Sequence, residues 1–216
     1  MFFDLDGTLL DSIPILYRNY CDFLARYGCH GSQEEFKFVN GPALPEIIKH
    51  LKQVHKIPGS EEEIMADYDA GLEKYYRDVV ESRKGADELL RLLVGRGDRL
   101  SLVTSTHESL VEPILNRLGW RSLFSAVITG EVVERAKPNP DIYLYALSEA
   151  GAVPEETVSL EDSPNGTRAV VAAGCIPVAL AIETPEELLI KAGAKYIIHS
   201  LDEFSELVDR LNPVQK

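Results

Sequence analysis

The sequence predicts an α/β protein, a Rossmann-like parallel sheet with helices on both faces, plus a helical cap inserted after the first strand. Three observations predict it. From residue 84 onward, short β-branched or aliphatic runs alternate with helical segments, the pattern of parallel strands joined by crossover helices. Those runs are unbroken rather than alternating apolar with polar, as when both sheet faces are buried. Residues 12–82 carry helical periodicity and caps but no convincing strand. The chain therefore divides into an α/β core, residues 1–11 and 83–216, and a helical cap domain, residues 12–82.

The elements follow in order. Phe2-Phe3 is the first strand, short because only three residues precede Asp4. A helix begins near Ser12 and closes at Gly28, and Ser60-Glu61-Glu62-Glu63 opens another with capping-box spacing. Strands are expected over residues 99–103, 126–129, 157–160, 176–180 and 196–198. Helices are expected over 107–118, 141–150, 164–173, 186–192 and 202–211. Gly119, Gly151, Gly174 and Gly193 fall where helices exit through a left-handed residue. Thr184-Pro185-Glu186-Glu187 and Ser200-Leu201-Asp202-Glu203 have capping-box spacing, with proline at the first helical position of the former. Trp120 and Phe124 are expected in the core.

Composition limits the partners. The 216 residues hold 22 Lys+Arg against 35 Asp+Glu, a net charge of −13, so nucleic acid and anionic membranes are repelled at long range. A phosphate substrate is still allowed, provided a cation and local donors reverse the field in one pocket. Cys21, Cys29 and Cys175 are an odd set without C-x-x-C spacing, which suits a reducing compartment. The first residues lack the basic and long apolar regions of a signal peptide. The longest apolar stretch, 169–182, is broken by Gly174 and Pro177 and is shorter than the roughly 20 residues of a membrane span. A cytoplasmic monomer or small homo-oligomer is expected.

Open parallel sheets bind ligands beyond the carboxyl ends of their strands. The residues there are Asp4-Leu5-Asp6-Gly7-Thr8, Thr104-Ser105-Thr106, Lys137-Pro138 one loop after the third strand, and Glu161-Asp162-Ser163. Each alone has an ordinary explanation. Asp-x-Asp recurs at Asp67-Tyr68-Asp69, read as a solvated helix face, and Asp162 reads equally as a helix N-cap. Asp11 and Ser12 read as caps of the first inserted helix, and His107 as structural or solvated. His30, His50, His55 and His199 show no metal-ligand spacing.

Together, and in this order, these residues resemble the haloacid dehalogenase-like superfamily, in particular its phosphatase branch with a small helical cap. The resemblance rests on D-L-D-G-T-L-L-D-S at 4–12, Val103-Thr104-Ser105, Lys137-Pro138, and L-E-D-S-P-N-G at 160–166 with Ala173-Gly174. It implies phosphate-monoester hydrolysis with magnesium, and the residue types fit. Asp4 is the expected nucleophile and Asp6 the general acid and base. Lys137, Thr104 and the Ser105 N–H are expected on the phosphoryl oxygens, with the helix tip near His107 adding its dipole. Asp4, Asp162 and the main-chain carbonyl of Asp6 are the expected magnesium ligands, with Glu161 tuning them from behind. The substrate is expected to be a small phosphorylated metabolite.

Other readings stay open. Sugar phosphomutases similar to β-phosphoglucomutase carry a histidine near Leu16 and an arginine near Leu44, and this chain has neither. Dehalogenases typically lack the acid found here as Asp6. A receiver-like phospho-switch lacks a cap in the first crossover, and the complete acidic set argues against a silent binding module. Tyr17, Asn40 and residues near Gly41-Pro42 are candidates to face the pocket, with hinges near Ser12 and Arg83.

Overall fold

The computed structural model describes residues 1–40 and 44–211. Its sheet has six parallel strands in the order β3-β2-β1-β4-β5-β6. These are β1 (Phe2–Phe3), β2 (Ser101–Val103), β3 (Ala126–Ile128), β4 (Val158–Glu161), β5 (Ile176–Leu180) and β6 (Tyr196–Ile198). β1, β2 and β4 are buried along their whole length and β5 in all but Ile176, while β3 and β6 at the edges are partly exposed.

Successive residues of a strand point to opposite faces, and β1 shows both layers in two residues. Phe3 faces α10 (Leu201–Leu211), its ring edge-on to Phe204 at 5.4 Å. Phe2 faces α7 (Asp141–Ala150), stacked on Tyr143 at 6.3 Å. Leu89, Leu90 and Leu93 of α5 (Ala86–Gly95) join the Phe3 side, and Ala169 and Val170 of α8 (Pro164–Ala172) the Phe2 side. Trp120 and Phe124 are buried as expected.

Four helices lie between β1 and α5: α1 (Ile13–Arg26), α2 (Gln33–Val39), α3 (Leu44–His55) and α4 (Glu61–Asp78). In α4, Ile64, Tyr68, Leu72 and Tyr76 recur every fourth residue and form its buried stripe. The capping box is present, with the Glu63 N–H donating to Ser60 Oγ at 3.2 Å and the Ser60 N–H to the Glu63 carboxylate at 2.9 Å. Glu35 ties α1, α2 and α3 together, accepting from the Tyr20 hydroxyl and meeting His50 Nε2 at 3.1 Å and His55 Nε2 at 2.9 Å.

The left-handed exits at Gly28, Gly119, Gly151, Gly174 and Gly193 all form, with φ between 57° and 102°. Several expected caps differ. Ser12 stands at the N-cap of α1, but its hydroxyl accepts from the Gly7 N–H at 3.2 Å, so it stitches the loop after β1 instead. Ser163, not Asp162, caps α8 by accepting from the Gly166 N–H at 3.0 Å. The helix α9 (Glu186–Ala192) starts after Pro185 with no side-chain cap, so the Thr184 box does not form. Ser200 does accept from the Glu203 N–H, at 3.3 Å, while Glu203 reaches back to the His199 N–H.

Candidate active site

Sheet order reverses between β1 and β4, and the residues leaving these two strands meet there. The Asp4 N–H donates to the Leu160 carbonyl at 3.0 Å, the last rung before both chains turn. Lys137 arrives from the loop after β3. Its Nζ donates to Asp4 Oδ1 at 2.7 Å, Glu161 Oε1 at 2.7 Å and the Val103 carbonyl at 3.1 Å, and lies 5.1 Å from the centre of the Tyr143 ring. Tyr143 also donates its hydroxyl to Glu161 Oε1. Glu161 thus faces Lys137 and Tyr143, a place that suits holding the lysine.

Oxygen atoms of Asp4, Glu161 and Asp162 lie within 4.8 Å of one another, all three side chains buried. One ammonium cannot neutralise three buried carboxylates. Burial, with the charges of Glu161 and Asp6, pushes Asp4 up to about 8 in spite of Lys137. Asp162 is held well above its usual range by burial and then by Asp4, Glu161 and Glu183. Burial alone would lower Lys137, but Asp4 and Glu161 more than reverse that and keep it protonated.

Gly7 closes over this group. Its φ is +75°, and a Cβ there would lie 2.1 Å from Asp162 Oδ2. Thr8 donates to the other Asp162 oxygen at 3.3 Å. An all-oxygen, carboxylate-rich cradle with an excess of negative charge fits a hard divalent cation such as magnesium. Asp4 and Asp162 would hold it.

Asp6 stands apart from that group. Thr106 Oγ1 donates to its Oδ2 at 2.5 Å, and the Tyr76 hydroxyl of α4 donates to its Oδ1. Of the hydroxyl run after β2, Thr104 is buried and accepts from the Thr106 N–H at 3.1 Å, whereas Ser105 and Thr106 face the cavity. The helix tip expected to add its dipole starts α6 (Glu108–Leu118), and its Glu108 N–H is already taken by the Glu131 carboxylate at 2.8 Å.

A cavity of about 420 Å³ lies between the inserted helices and the strand ends. Its apolar wall includes Leu16, Leu44, Phe36 and Leu72, and its charged groups include Asp69, Glu131 and Glu134. Asn40 lines it, while Tyr17 packs its ring on Phe36 at 5.1 Å and Tyr20 at 6.1 Å. Gly41 and Pro42 lie outside the described residues. The second Asp-x-Asp is not a solvated face: Asp67 pairs with Arg26 at 2.6 Å and Tyr27 at 3.1 Å, and Asp69 faces the cavity. His107 is half-exposed on the cavity rim, 3.4 Å from Glu131.

Sequence reasoning missed Tyr76, Asp69 and Tyr143. Tyr76 sits in the buried stripe of α4, whose spacing signals packing, and only its contact with Asp6 marks it as part of the site.

A six-stranded parallel sheet with an acid–lysine cluster at its switch point and four helices inserted after its first strand defines an α/β protein with a strand-end site. Residues 1–180 match the haloacid dehalogenase-like hydrolase family, and the chain belongs to it. It is 26% identical to the phosphorylated carbohydrates phosphatase of Thermotoga maritima, over 92% of this chain and 93% of that one. It is 30% identical to phosphoglycolate phosphatase 1 of Pseudomonas aeruginosa, over 83% of this chain and 68% of that one. The crystal structure of CbbY from Rhodobacter sphaeroides in complex with phosphate superposes with a TM-score of 0.82 at 28% identity, covering 94% of each chain. No helix among the described residues is long and apolar enough to cross a membrane.

Proposed function

We propose that the protein is a magnesium-dependent phosphatase that hydrolyses a small phosphorylated metabolite through an aspartyl-phosphate on Asp4. The observation that carries this is Lys137, donating at 2.7 Å to both Asp4 and Glu161 at the switch point, with Asp6 two residues on. Bound at Asp4, Asp162 and the Asp6 carbonyl, magnesium would supply positive charge that lets an anionic carboxylate approach a dianionic ester. Asp4 Oδ attacks phosphorus while the ester P–O bond breaks, and Asp6 gives its proton to the departing alkoxide. Water then attacks the phosphoryl group, Asp6 takes its proton, and the Asp4–phosphorus bond breaks to release inorganic phosphate. Lys137 and the main-chain N–H of Ser105 stabilise the transferring oxygens, and Glu161 and Tyr143 fix the lysine. Thr104 supports this loop through the Thr106 N–H.

Residues 12–82 act as a cap over the core of residues 1–11 and 83–216, opening for entry and closing to exclude water. Leu16 and Leu44 place methyl groups where the mutase reading would need a histidine and an arginine to hold a second phosphate. The carboxylates Asp69, Glu131 and Glu134 further disfavour an anionic leaving group. Sugar and polyol monophosphates therefore fit this cavity better than phosphoglycolate or a bisphosphate. The free cysteines Cys21, Cys29 and Cys175 suit the cytoplasm.

The test is a panel of sugar, polyol, phosphoglycolate, bisphosphate and p-nitrophenyl esters assayed for phosphate release with magnesium and with a chelator. Release should require the metal, and kcat/KM for uncharged leaving groups should exceed that for phosphoglycolate by about tenfold or more. Asp4→Asn should lower turnover by at least about 1,000-fold with an unchanged melting curve. Interconversion of glucose phosphates faster than phosphate release, with a bisphosphate primer, would establish the mutase reading instead.

A further inference from the structure

We propose that Tyr76 is a positioning residue for proton transfer, holding the Asp6 carboxyl jointly with Thr106 from the opposite side of the cleft. This rests on the hydrolase reading and adds a residue to it. Tyr76 lies on the last turn of α4, in the inserted helices, and is buried. Thr106 lies on the loop after β2, in the core. One hydroxyl takes each Asp6 oxygen, Tyr76 on Oδ1 and Thr106 on Oδ2. A carboxylate has roughly two lone-pair directions per oxygen, so these two contacts fix the plane of the group and leave a direction on each oxygen free.

A phenol is a neutral hydroxyl at neutral pH, so Tyr76 meets Asp6 as a hydrogen-bond donor. A hydroxyl can donate to either state of its partner: when Asp6 is protonated, its proton takes one of the free directions and the supporting hydroxyls go on donating. Asp6 needs both states, giving its proton as the ester bond breaks and taking one from water as the aspartyl-phosphate is hydrolysed. Because α4 packs on α6, which begins just after Thr106, the same helix that carries Tyr76 is seated on the core beside it. Lifting α4 removes one of the two supports of Asp6. The acid is then aligned only when the inserted helices are in place over the substrate.

Tyr76→Phe deletes the hydroxyl and keeps the ring. Two substrates separate positioning from packing: p-nitrophenyl phosphate, whose phenolate leaves without a proton, and the alkyl phosphate turned over fastest in the panel above, whose alkoxide needs one. For Tyr76→Phe, kcat/KM should fall about 10- to 100-fold with the alkyl ester and less than about threefold with the nitrophenyl ester. The alkyl-ester loss should fall on kcat, with KM changed less than about twofold. Thr106→Val should reproduce the selective loss and Thr106→Ser should restore it, and this pair decides the matter if Tyr76→Phe does not fold. Equal losses with the two esters, or wild-type kinetics in Tyr76→Phe, would overturn the proposal while leaving the hydrolase reading intact. A wild-type protein inactive on every ester overturns the hydrolase reading and this one with it.

Discussion

A single methyl group added at Gly166 brings two effects into opposition. Alanine is the better helix former by about 0.5–1 kcal/mol, and Gly166 lies in the first turn of α8. Its Cβ, however, would stand 1.8 Å from Glu161 Oε2 and 2.0 Å from the carboxyl carbon. Removing that overlap requires moving Glu161, and with it the partner of Lys137, so the steric effect wins. Gly166→Ala should lower the melting temperature and cut turnover at least tenfold, as thermal melts and steady-state assays would show. Gly95 ends α5 with open space around its missing Cβ, and Gly95→Ala should raise stability by about 0.5 kcal/mol with activity unchanged. At this scale the sequence was readable where a residue type has one chemical use. Asp4 and Lys137 meet at 2.7 Å because aspartate at a strand end and lysine in a neighbouring loop have little else to do together. Tyr76 was not readable, because packing and a contact with Asp6 ask for the same residue at the same helical spacing.

Among elements, the two chain crossings between core and inserted helices are tied to each other. Leu10 bridges Ser82 in antiparallel fashion, the Asp11 N–H donates to the Glu81 carbonyl at 3.0 Å, and the Arg83 N–H to the Leu9 carbonyl at 2.8 Å. The buried Arg83 guanidinium adds a strut, its Nη2 donating to the Gly7 carbonyl at 2.8 Å and to Glu183 at 3.0 Å. Its Nε is buried with no hydrogen-bond partner. Arg83→Ala leaves Glu183 and the Gly7 carbonyl short of a donor, but Glu183 reaches water and recovers part of the loss. The net cost should be about 2 kcal/mol, seen as a fall of about 4–8 °C in melting temperature. The change of periodicity near residues 12 and 83 was legible in the sequence. The strut was not, since nothing in Ser82-Arg83-Lys84 marks which side chain turns inward. Capping signals were an uneven guide: the Ser60 box formed, and the Thr184 box lost to a proline whose φ of −58° and ψ of 134° start the helix one residue later.

For the molecule as a whole, three carboxylates buried against one ammonium make stability depend on pH and on cations. Asp4 goes from an ordinary 3.8 to about 8 on folding, and Asp162 is raised as well. The folded protein therefore binds more protons than the unfolded chain through this window, and its metal-free stability falls as pH rises from about 4 to about 8. A divalent cation takes only the ionised carboxylates, so its stabilising effect grows across the same window. The gain in melting temperature on adding millimolar magnesium should be larger at pH 8 than at pH 6; an equal or smaller gain would place the cation elsewhere. That four segments converge was legible because every parallel strand ends on the same rim, whereas the cavity's character was not, because Asp69 and Asp67 are alike in sequence and differ only in which way α4 turns them. The two-residue β1 has a temporal consequence. Its neighbours, β2 and β4, lie about 100 and 160 residues further along, so a chain emerging from the ribosome can assemble its four inserted helices long before Asp4 has a place to dock. Synthesis makes the inserted helices first and the sheet beneath Asp4 last.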